Sequence, residues 1–249
     1  MPLRKKVSFS MSVAVSVILP AYNERDNVLP LIDEIHTALS AYAHEIIVID
    51  DQSSDGTVAA LQSRRDTSVT LIETSRRMGL GRSIRAGIEQ ARGECLVVMD
   101  SDFNHQPRYL PFMVGAMEVY DGAFASRFYP GGGMSSVWRQ FLSRSFNVFV
   151  QLMLNSPVKD HLYGFFIIRR SVLERLPMDD IFWGYGDYCM RLIYYVRGET
   201  DRMLQFPAVN GERRFGRGNP YLWRTFIQYA RAVFAFAGKV RGYSSLSNR

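Results

Sequence analysis

Cysteine is scarce in this sequence, whose 249 residues contain only Cys95 and Cys189. Both lie in apolar patterns, one typical of a strand and the other of a helix, which favours packing in the core over a disulfide or a metal site. No apolar run approaches the ~18 to 20 residues that a membrane-crossing helix needs. No apolar signal-peptide core with a cleavage site precedes the first predicted strand. We therefore expect the body of the protein to be cytoplasmic.

Glycine-rich phosphate loops are also missing. A dinucleotide-binding fold needs G-x-G-x-x-G directly after its first strand, where this chain has Pro20-Ala21-Tyr22-Asn23-Glu24. The pattern G-x-x-x-x-G-K-[ST] of a P-loop does not occur either. Any bound diphosphate must therefore be held through a metal and basic side chains.

The overall composition indicates one large α/β domain, since 47% of the 249 residues are hydrophobic. The 30 basic and 24 acidic residues give a net charge of +6, which favours phosphorylated substrates or an acidic membrane surface as partners. The basic residues are spread over separate loops rather than along one helix or strand face, which argues against nucleic acid as a partner.

Strands and helices alternate through the first half of the chain. This pattern predicts βαβ units and a mostly parallel central sheet flanked by helices. The predicted strands are 13–19, 45–49, 69–73, 96–99, 122–126 and 165–168. The predicted helices are 27–42, one that starts near 57, one from about 81 to 92, 135–154, one that opens at 184–188 and runs to 195, and 220–241.

Polar groups follow three of these strands. They are residues 20–24, the pair Asp50-Asp51, and the triplet Asp100-Ser101-Asp102. Parallel strands bring their carboxyl ends to one edge of a sheet, where ligands bind. Two carboxylates one residue apart repel each other unless a cation lies between them, and Mg²⁺ or Mn²⁺ with substrate phosphates suits such a pair. An isolated D-x-D is more often a solvated turn or a helix cap, but three polar strand ends together favour a metal site.

The segments VSVILPAYNE, EIIVIDDQSSDGT, MGLGRSIRAGIEQARGE, VVMDSDFNHQP and GAFASRF resemble, in this order, the family 2 glycosyltransferases. Within that family the chain is most similar to the polyprenyl-phosphate branch, which includes dolichol-phosphate mannose synthases. The resemblance implies the GT-A fold, which binds nucleotide-diphospho-sugars. It covers 15–218 and departs from the branch pattern at Gly218 and Asn219, where serine and lysine are usual.

The resemblance also implies roles for individual residues. The residues expected to bind the nucleotide are Pro20, Tyr22, Glu24, Asp51, Arg77, Gly79, Asp100 and Ser101. The residues expected to bind a Mg²⁺ or Mn²⁺ cofactor are Asp100, Asp102 and Asn104. Asp102 is also a candidate catalytic residue, and Arg127 and Arg213 are expected to contact phosphate groups.

The implied reaction is an inverting, metal-dependent transfer of a mannose- or glucose-type hexose from a GDP- or UDP-sugar to a polyprenyl phosphate, dolichyl or undecaprenyl in type. The alternative acceptor is a saccharide or another hydroxyl compound, with Asp187 as the general base. Asp187 is equally well explained as a carboxylate at the N-terminus of a helix.

Two predicted helices, 135–154 and 220–241, combine aromatic and apolar residues with basic ones. Such helices either lie in a membrane interface or pack against the sheet. We expect a basic tail (1–12), a catalytic domain (13–219), and a C-terminal amphipathic helix with a tail (220–249). These features predict peripheral attachment at the cytoplasmic face of a membrane, to lipid or to a membrane protein.

Overall fold

The computed structural model describes residues 14–216 and 222–246. The strands are β1 (Val15–Ala21), β2 (His44–Asp50), β3 (Val69–Glu73), β4 (Cys95–Val98), β5 (Gly122–Ser126), β6 (Phe166–Arg169) and β7 (Met203–Pro207). The helices are α1 (Arg25–Ala38), α2 (Thr57–Ser63), α3 (Leu80–Gln90), α4 (Leu110–Ala116), α5 (Val137–Leu154), α6 (Arg170–Leu173), α7 (Met178–Ile181), α8 (Tyr188–Glu199) and α9 (Leu222–Leu246).

The described strands form one sheet in the order β3-β2-β1-β4-β6-β5-β7. The β1–β2, β2–β3, β1–β4 and β5–β7 pairs are parallel, whereas β6 runs antiparallel to both of its neighbours. The prediction of a mostly parallel sheet flanked by helices is therefore confirmed. The sequence analysis did not predict β7, because this short strand carries a mixed pattern and ends in Pro207, so its apolar signal is weak.

Apolar side chains cover both faces of the sheet, as the continuous apolar runs of β1, β2 and β4 require. One face packs against α1, α2 and α4, and the other against α3, α6, α7 and α8. Cys95 and Cys189 are buried and unbridged, as predicted. Within the described part of the chain, no helix has the length and apolarity needed to cross a membrane.

A third apolar cluster joins α5, α8 and α9, with Phe146, Val150, Met190, Val233 and Phe236 at its centre. The buried face of α5 thus packs against helices rather than against the sheet. Its other face remains exposed. Of the two alternatives drawn for this helix, packing against the sheet is thus wrong, and the membrane interface stays a prediction.

Candidate active site

A cleft of about 690 Å³ opens at the carboxyl ends of β1, β2 and β4. All the residues predicted to bind nucleotide line it: Pro20, Tyr22, Glu24, Asp51, Arg77, Gly79, Asp100 and Ser101. Asp102 and Arg213 complete this part of the wall. The tertiary structure therefore brings the three polar strand ends together, as the parallel order of the strands requires.

Asp100 and Asp102 lie in the cleft directly after β4. Asn104 fixes Asp102, because its backbone amide donates to Oδ1 (3.0 Å) and its Nδ2 donates to Oδ2 (2.7 Å). Burial raises the pKa of Asp102, and the charge of Asp100 raises it further. Burial also raises the pKa of Asp100 to about 6, although 43% of its side chain is open to the cleft. A cation between the two carboxylates would stabilise their charged forms.

This donor set fits a metal that arrives with a diphosphate. Within residues 14–216 and 222–246, no group of three or more His, Cys, Asp or Glu side chains could hold a metal. Mg²⁺, however, is usually bound by one or two carboxylates completed by water and substrate phosphates. The predicted third ligand, Asn104, has its Oδ1 engaged with Nδ2 of Asn210 at 3.1 Å. Its role as a ligand therefore stays a prediction.

Arg213 lies between two carboxylates of the cleft. Its guanidinium donates to both oxygens of Glu24, and its Nε lies 3.4 Å from Oδ2 of Asp102. Burial raises the pKa of Glu24 to about 7, an effect that Arg213 opposes. The cleft therefore holds a built-in cation beside the predicted metal site. The residues at which the chain departs from the family pattern, Gly218 and Asn219, lie outside the described residues.

A second group of side chains forms a flat polar platform in the cleft. The guanidinium carbon of Arg77 lies 3.4 Å from the centroid of the Tyr22 ring. The carboxylate of Asp51 accepts the backbone amides of Met78 (2.7 Å) and Gly79 (2.9 Å). Asp51 thereby anchors the segment that presents Arg77. A planar pair of this kind suits stacking of a nucleobase.

His105 has a structural role in this site that the sequence analysis did not predict. Its Nδ1 accepts the backbone amide of Asp100 (2.8 Å), and its Nε2 lies 2.8 Å from the carbonyl oxygen of Tyr163. Because an amide donates and a carbonyl accepts, His105 is a neutral imidazole with its proton on Nε2. Burial lowers its pKa to about 4, which agrees with this state. The sequence signal was weak, a single histidine five residues after Asp100.

Arg127 is placed behind the cleft wall rather than in it. It forms a bidentate pair with the fully buried Asp160, with Nε–Oδ2 and Nη2–Oδ1 distances of 2.8 Å. Its positive charge nevertheless lowers the pKa of Asp100, against the larger effect of burial. The predicted contact of Arg127 with an acceptor phosphate stays a prediction. In this structure Arg127 contributes charge and holds residues 160–163 in place.

Asp187 also lies outside the cleft lining. Its Oδ1 accepts the backbone amide of Tyr185 (2.9 Å), and its Oδ2 pairs with the guanidinium of Arg191. The side chains of Asp187 and Arg191 are 3% and 2% exposed. Asp187 thus lies at the N-terminus of α8, where the alternative explanation placed it, but its side chain forms a buried ion pair rather than capping the helix. This arrangement does not favour a general base.

Tyrosines from several segments complete the cleft wall, namely Tyr163, Tyr185, Tyr188 and Tyr229. Tyr229 comes from α9, and its ring stacks on that of Tyr185 with the centroids 6.3 Å apart. A Cβ at Gly186 would lie 2.2 Å from the Tyr229 hydroxyl, so this glycine permits the close approach of α9. The sequence analysis left helix 220–241 open between a membrane interface and packing against the sheet, and the structure places its Tyr229 in the cleft.

Known proteins resemble this chain in sequence and in fold. The family model for glycosyl transferase family 2 matches residues 16–177. Dolichol-phosphate mannosyltransferase of Pyrococcus furiosus is 30% identical over 88% of this chain and 62% of its own length. Dolichol-phosphate mannosyltransferase of Saccharomyces cerevisiae is 29% identical over 69% of this chain and 66% of its own length. The chain thus spans about two thirds of the length of these relatives.

Among solved structures, glucosyl-3-phosphoglycerate synthase from Mycobacterium tuberculosis, in complex with Mn²⁺, UDP and glucosyl-3-phosphoglycerate, superimposes with a TM-score of 0.70. The likeness covers 95% of this chain and 87% of that one, at 20% sequence identity, and shows a shared fold. The predicted GT-A fold and family are therefore both confirmed. This chain belongs to glycosyl transferase family 2.

Proposed function

We propose that this protein is an inverting, metal-dependent transferase that moves a hexose from a GDP- or UDP-sugar to a polyprenyl phosphate. The observation that carries the proposal is the single cleft that combines a stacking platform at Tyr22 and Arg77 with the carboxylates Asp100 and Asp102. Dolichol-phosphate mannosyltransferases among the relatives support the lipid phosphate as acceptor. A relative of the same fold, crystallised with Mn²⁺ and UDP, supports the metal and the nucleotide.

In this mechanism, Tyr22 and Asp51 would hold the nucleoside, and Asp100 and Asp102 would hold Mg²⁺ or Mn²⁺, which would supply positive charge to the diphosphate leaving group. Arg213, whose Nε lies 3.4 Å from Oδ2 of Asp102, would add a second positive charge that stabilises the leaving diphosphate. Attack by the acceptor from the opposite face of the sugar would invert the anomeric carbon.

The chemistry of the acceptor decides whether a general base is needed. A phosphate monoester has a second pKa near ~6 and is already a dianionic nucleophile at neutral pH. A sugar hydroxyl needs a base to remove its proton. Both oxygens of the candidate base, Asp187, are engaged and buried. This favours the phosphate acceptor over the hydroxyl alternative.

The test is to incubate the purified protein with GDP-mannose or UDP-glucose, a short polyprenyl phosphate and Mn²⁺. We expect a polyprenyl-phosphate monosaccharide as the product, and no product after chelation with EDTA. Asp102→Asn should abolish transfer with an unchanged circular dichroism spectrum, whereas the exposed Asp201→Asn serves as the matched control. Full activity of Asp102→Asn, or of EDTA-treated wild type, would refute the metal-dependent mechanism.

We also propose that the protein attaches peripherally to the cytoplasmic face of an anionic membrane through the outer face of α5. Large apolar side chains there are exposed: Val137 (82%), Trp138 (67%), Phe141 (60%) and Leu152 (76%). Exposed Arg139 and Arg144 flank them. Tryptophan beside arginine suits the headgroup layer, and the positive charges favour acidic lipids.

Sedimentation with protein-free vesicles tests this attachment and separates lipid from a membrane-protein partner. We expect binding to vesicles that contain phosphatidylglycerol and loss of binding in the double variant Trp138→Glu/Phe141→Glu. Phe112→Glu is the matched control, because Phe112 is a 52% exposed aromatic residue that belongs to α4 rather than to α5. Equal binding by the double variant and the control would refute the proposed face.

A further inference from the structure

Asn104 is held from three directions by residues distant in the chain. Its carbonyl oxygen accepts the backbone amide of Gly211 (2.8 Å) and the hydroxyl of Tyr163 (3.2 Å). Its side-chain Oδ1 accepts Nδ2 of Asn210 (3.1 Å). Residues 210 and 211 follow β7, so the loop after this strand is tied directly to the loop that carries Asp102.

The hydrogen bond from Asn210 and the carboxylate of Asp102 together fix which way round the Asn104 amide lies. A side-chain amide can be turned by 180°, which exchanges its donor and its acceptor. The Asn210 amide is itself fixed, because its Nδ2 also donates to the carbonyl oxygen of Gly211 (2.9 Å). With this donor on one side and the acceptor-only carboxylate on the other, Oδ1 of Asn104 faces Asn210. The Nδ2 of Asn104 then faces Oδ2 of Asp102, to which it donates at 2.7 Å. The reverse orientation would bring two oxygens together at Asp102.

The loop of Asn210 is itself firmly anchored. The backbone amide of Asn210 donates to the carbonyl oxygen of Gly133 (2.9 Å), and Nε2 of Gln106 donates to the carbonyl oxygen of Val209 (2.9 Å). The Asn210 side chain therefore reaches Asn104 from a fixed position. Hydrogen bonds to a metal-ligating carboxylate orient it and commonly determine its affinity for the metal.

We propose that Asn210 is a positioning residue for the metal site: through the amide of Asn104, it orients the Asp102 carboxylate toward the bound cation. This inference rests on the proposed function, because it takes Asp102 as a metal ligand. It assigns to the loop after β7 a role that is separate from the ion pairs of Arg213.

Mn²⁺ binding measured by electron paramagnetic resonance in the presence of UDP or GDP tests the inference without relying on activity. We expect Asn210→Ala to weaken Mn²⁺ binding about tenfold or more, as is usual for the loss of a residue that supports a ligand. Gln205→Ala is the matched control, because it removes a side-chain amide of β7 that accepts the backbone amide of Lys159, without touching Asn104 or the anchors of the loop of Asn210. It should bind Mn²⁺ as the wild type does, and both variants should melt at similar temperatures.

A double-mutant cycle distinguishes action through Asn104 from a general loosening of the loop. We expect Asn210→Ala to have no further effect on Mn²⁺ binding when Asn104 is already alanine. In activity assays, Asn210→Ala should raise the Mn²⁺ concentration for half-maximal rate, with kcat near the wild-type value at saturating metal.

These measurements distinguish a failure of the positioning role of Asn210 from a failure of the proposed metal-dependent function. Wild-type affinity in Asn210→Ala, or additive effects in the double variant, would overturn the positioning role and leave the proposed function intact. A wild-type protein that binds no Mn²⁺ with either nucleotide would overturn the metal site itself, and both proposals with it.

Discussion

Replacing Asp187 by asparagine separates a structural carboxylate from a catalytic base. Asp187 pairs with Arg191, and both side chains are at most 3% exposed. Arg191 also donates to the carbonyl oxygens of Ile181 and Trp183. Asparagine keeps an oxygen for the Tyr185 amide but removes the negative charge. The variant therefore leaves a buried guanidinium without its counter-ion.

The expected loss of stability in Asp187→Asn follows from the burial of this ion pair. Removing one partner of a buried ion pair destabilises a protein by about 3–5 kcal/mol. In a chain of this size, 1 kcal/mol lowers the melting temperature by about 2–4 °C, so we expect a decrease of roughly 6–20 °C. Glu199→Gln, which disrupts the more exposed pair with Arg175, should cost less than about 1 kcal/mol. The double variant Asp187→Asn/Arg191→Gln should lose less stability than Asp187→Asn alone, since it leaves no charge unpaired.

The assay combines thermal unfolding with turnover measured well below the melting temperature and normalised to folded protein. If Asp187 is structural, Asp187→Asn should keep a turnover within about threefold of wild type, whereas loss of a general base typically costs ~10²–10⁴-fold. A variant that melts like the wild type and loses turnover a hundredfold or more would refute this reasoning. It would also favour the hydroxyl acceptor.

Three further substitutions test other parts of the site. Burial raises the pKa of Glu24 from its ordinary value of 4.5 to about 7 in the folded protein. Between these pH values the folded state binds more protons than the unfolded state, so the wild type loses up to about 3 kcal/mol of stability as pH rises through this window. In urea titrations, Glu24→Gln should flatten this dependence of stability on pH, and an unchanged dependence contradicts the raised pKa. Tyr22→Ala should weaken UDP or GDP binding by about 1–3 kcal/mol in calorimetry, the value of a lost base stack, and unaltered binding of both nucleotides would exclude stacking on this ring. A Cβ at Gly211 would lie 2.0 Å from the carbonyl oxygen of Phe103. Gly211→Ala should therefore displace the loop after β7 and lower both the melting temperature and the affinity for Mn²⁺. Wild-type values of both quantities would show that the loop adapts to the extra methyl group.

The local pattern of apolar residues was sufficient to predict most strands of the sheet. The predicted bounds of β3 and β5 match the structure, and those of β1, β2 and β6 differ by one or two residues. Continuous apolar runs bounded by polar or glycine residues carry this signal, because a strand buried on both faces must be apolar throughout. Strand β7 lies at the edge of the sheet and has a weaker pattern, so its place depended on pairing with β5.

The candidate site was predictable where its residues directly follow a strand. Asp51, Asp100 and Asp102 fall in this class, and the parallel sheet brings them to one edge. Residues that support the site from elsewhere were not predicted. Asn210 meets Asn104 across 106 positions of sequence, and no local pattern indicates such a contact.

The sequence by itself determined the α/β class, the alternation of strands and helices from β1 to β4, and the strand ends at which polar groups collect. It could do so because these features depend on neighbouring residues, through apolar periodicity and the geometry of parallel strands. Only the tertiary structure decided which charges meet. It paired Arg127 with Asp160 and Asp187 with Arg191 behind the cleft, and placed Arg213 between Glu24 and Asp102 within it. The sequence does not distinguish a charged side chain that faces solvent from one that faces a ligand or a buried counter-ion. Its surroundings are determined only when the chain folds.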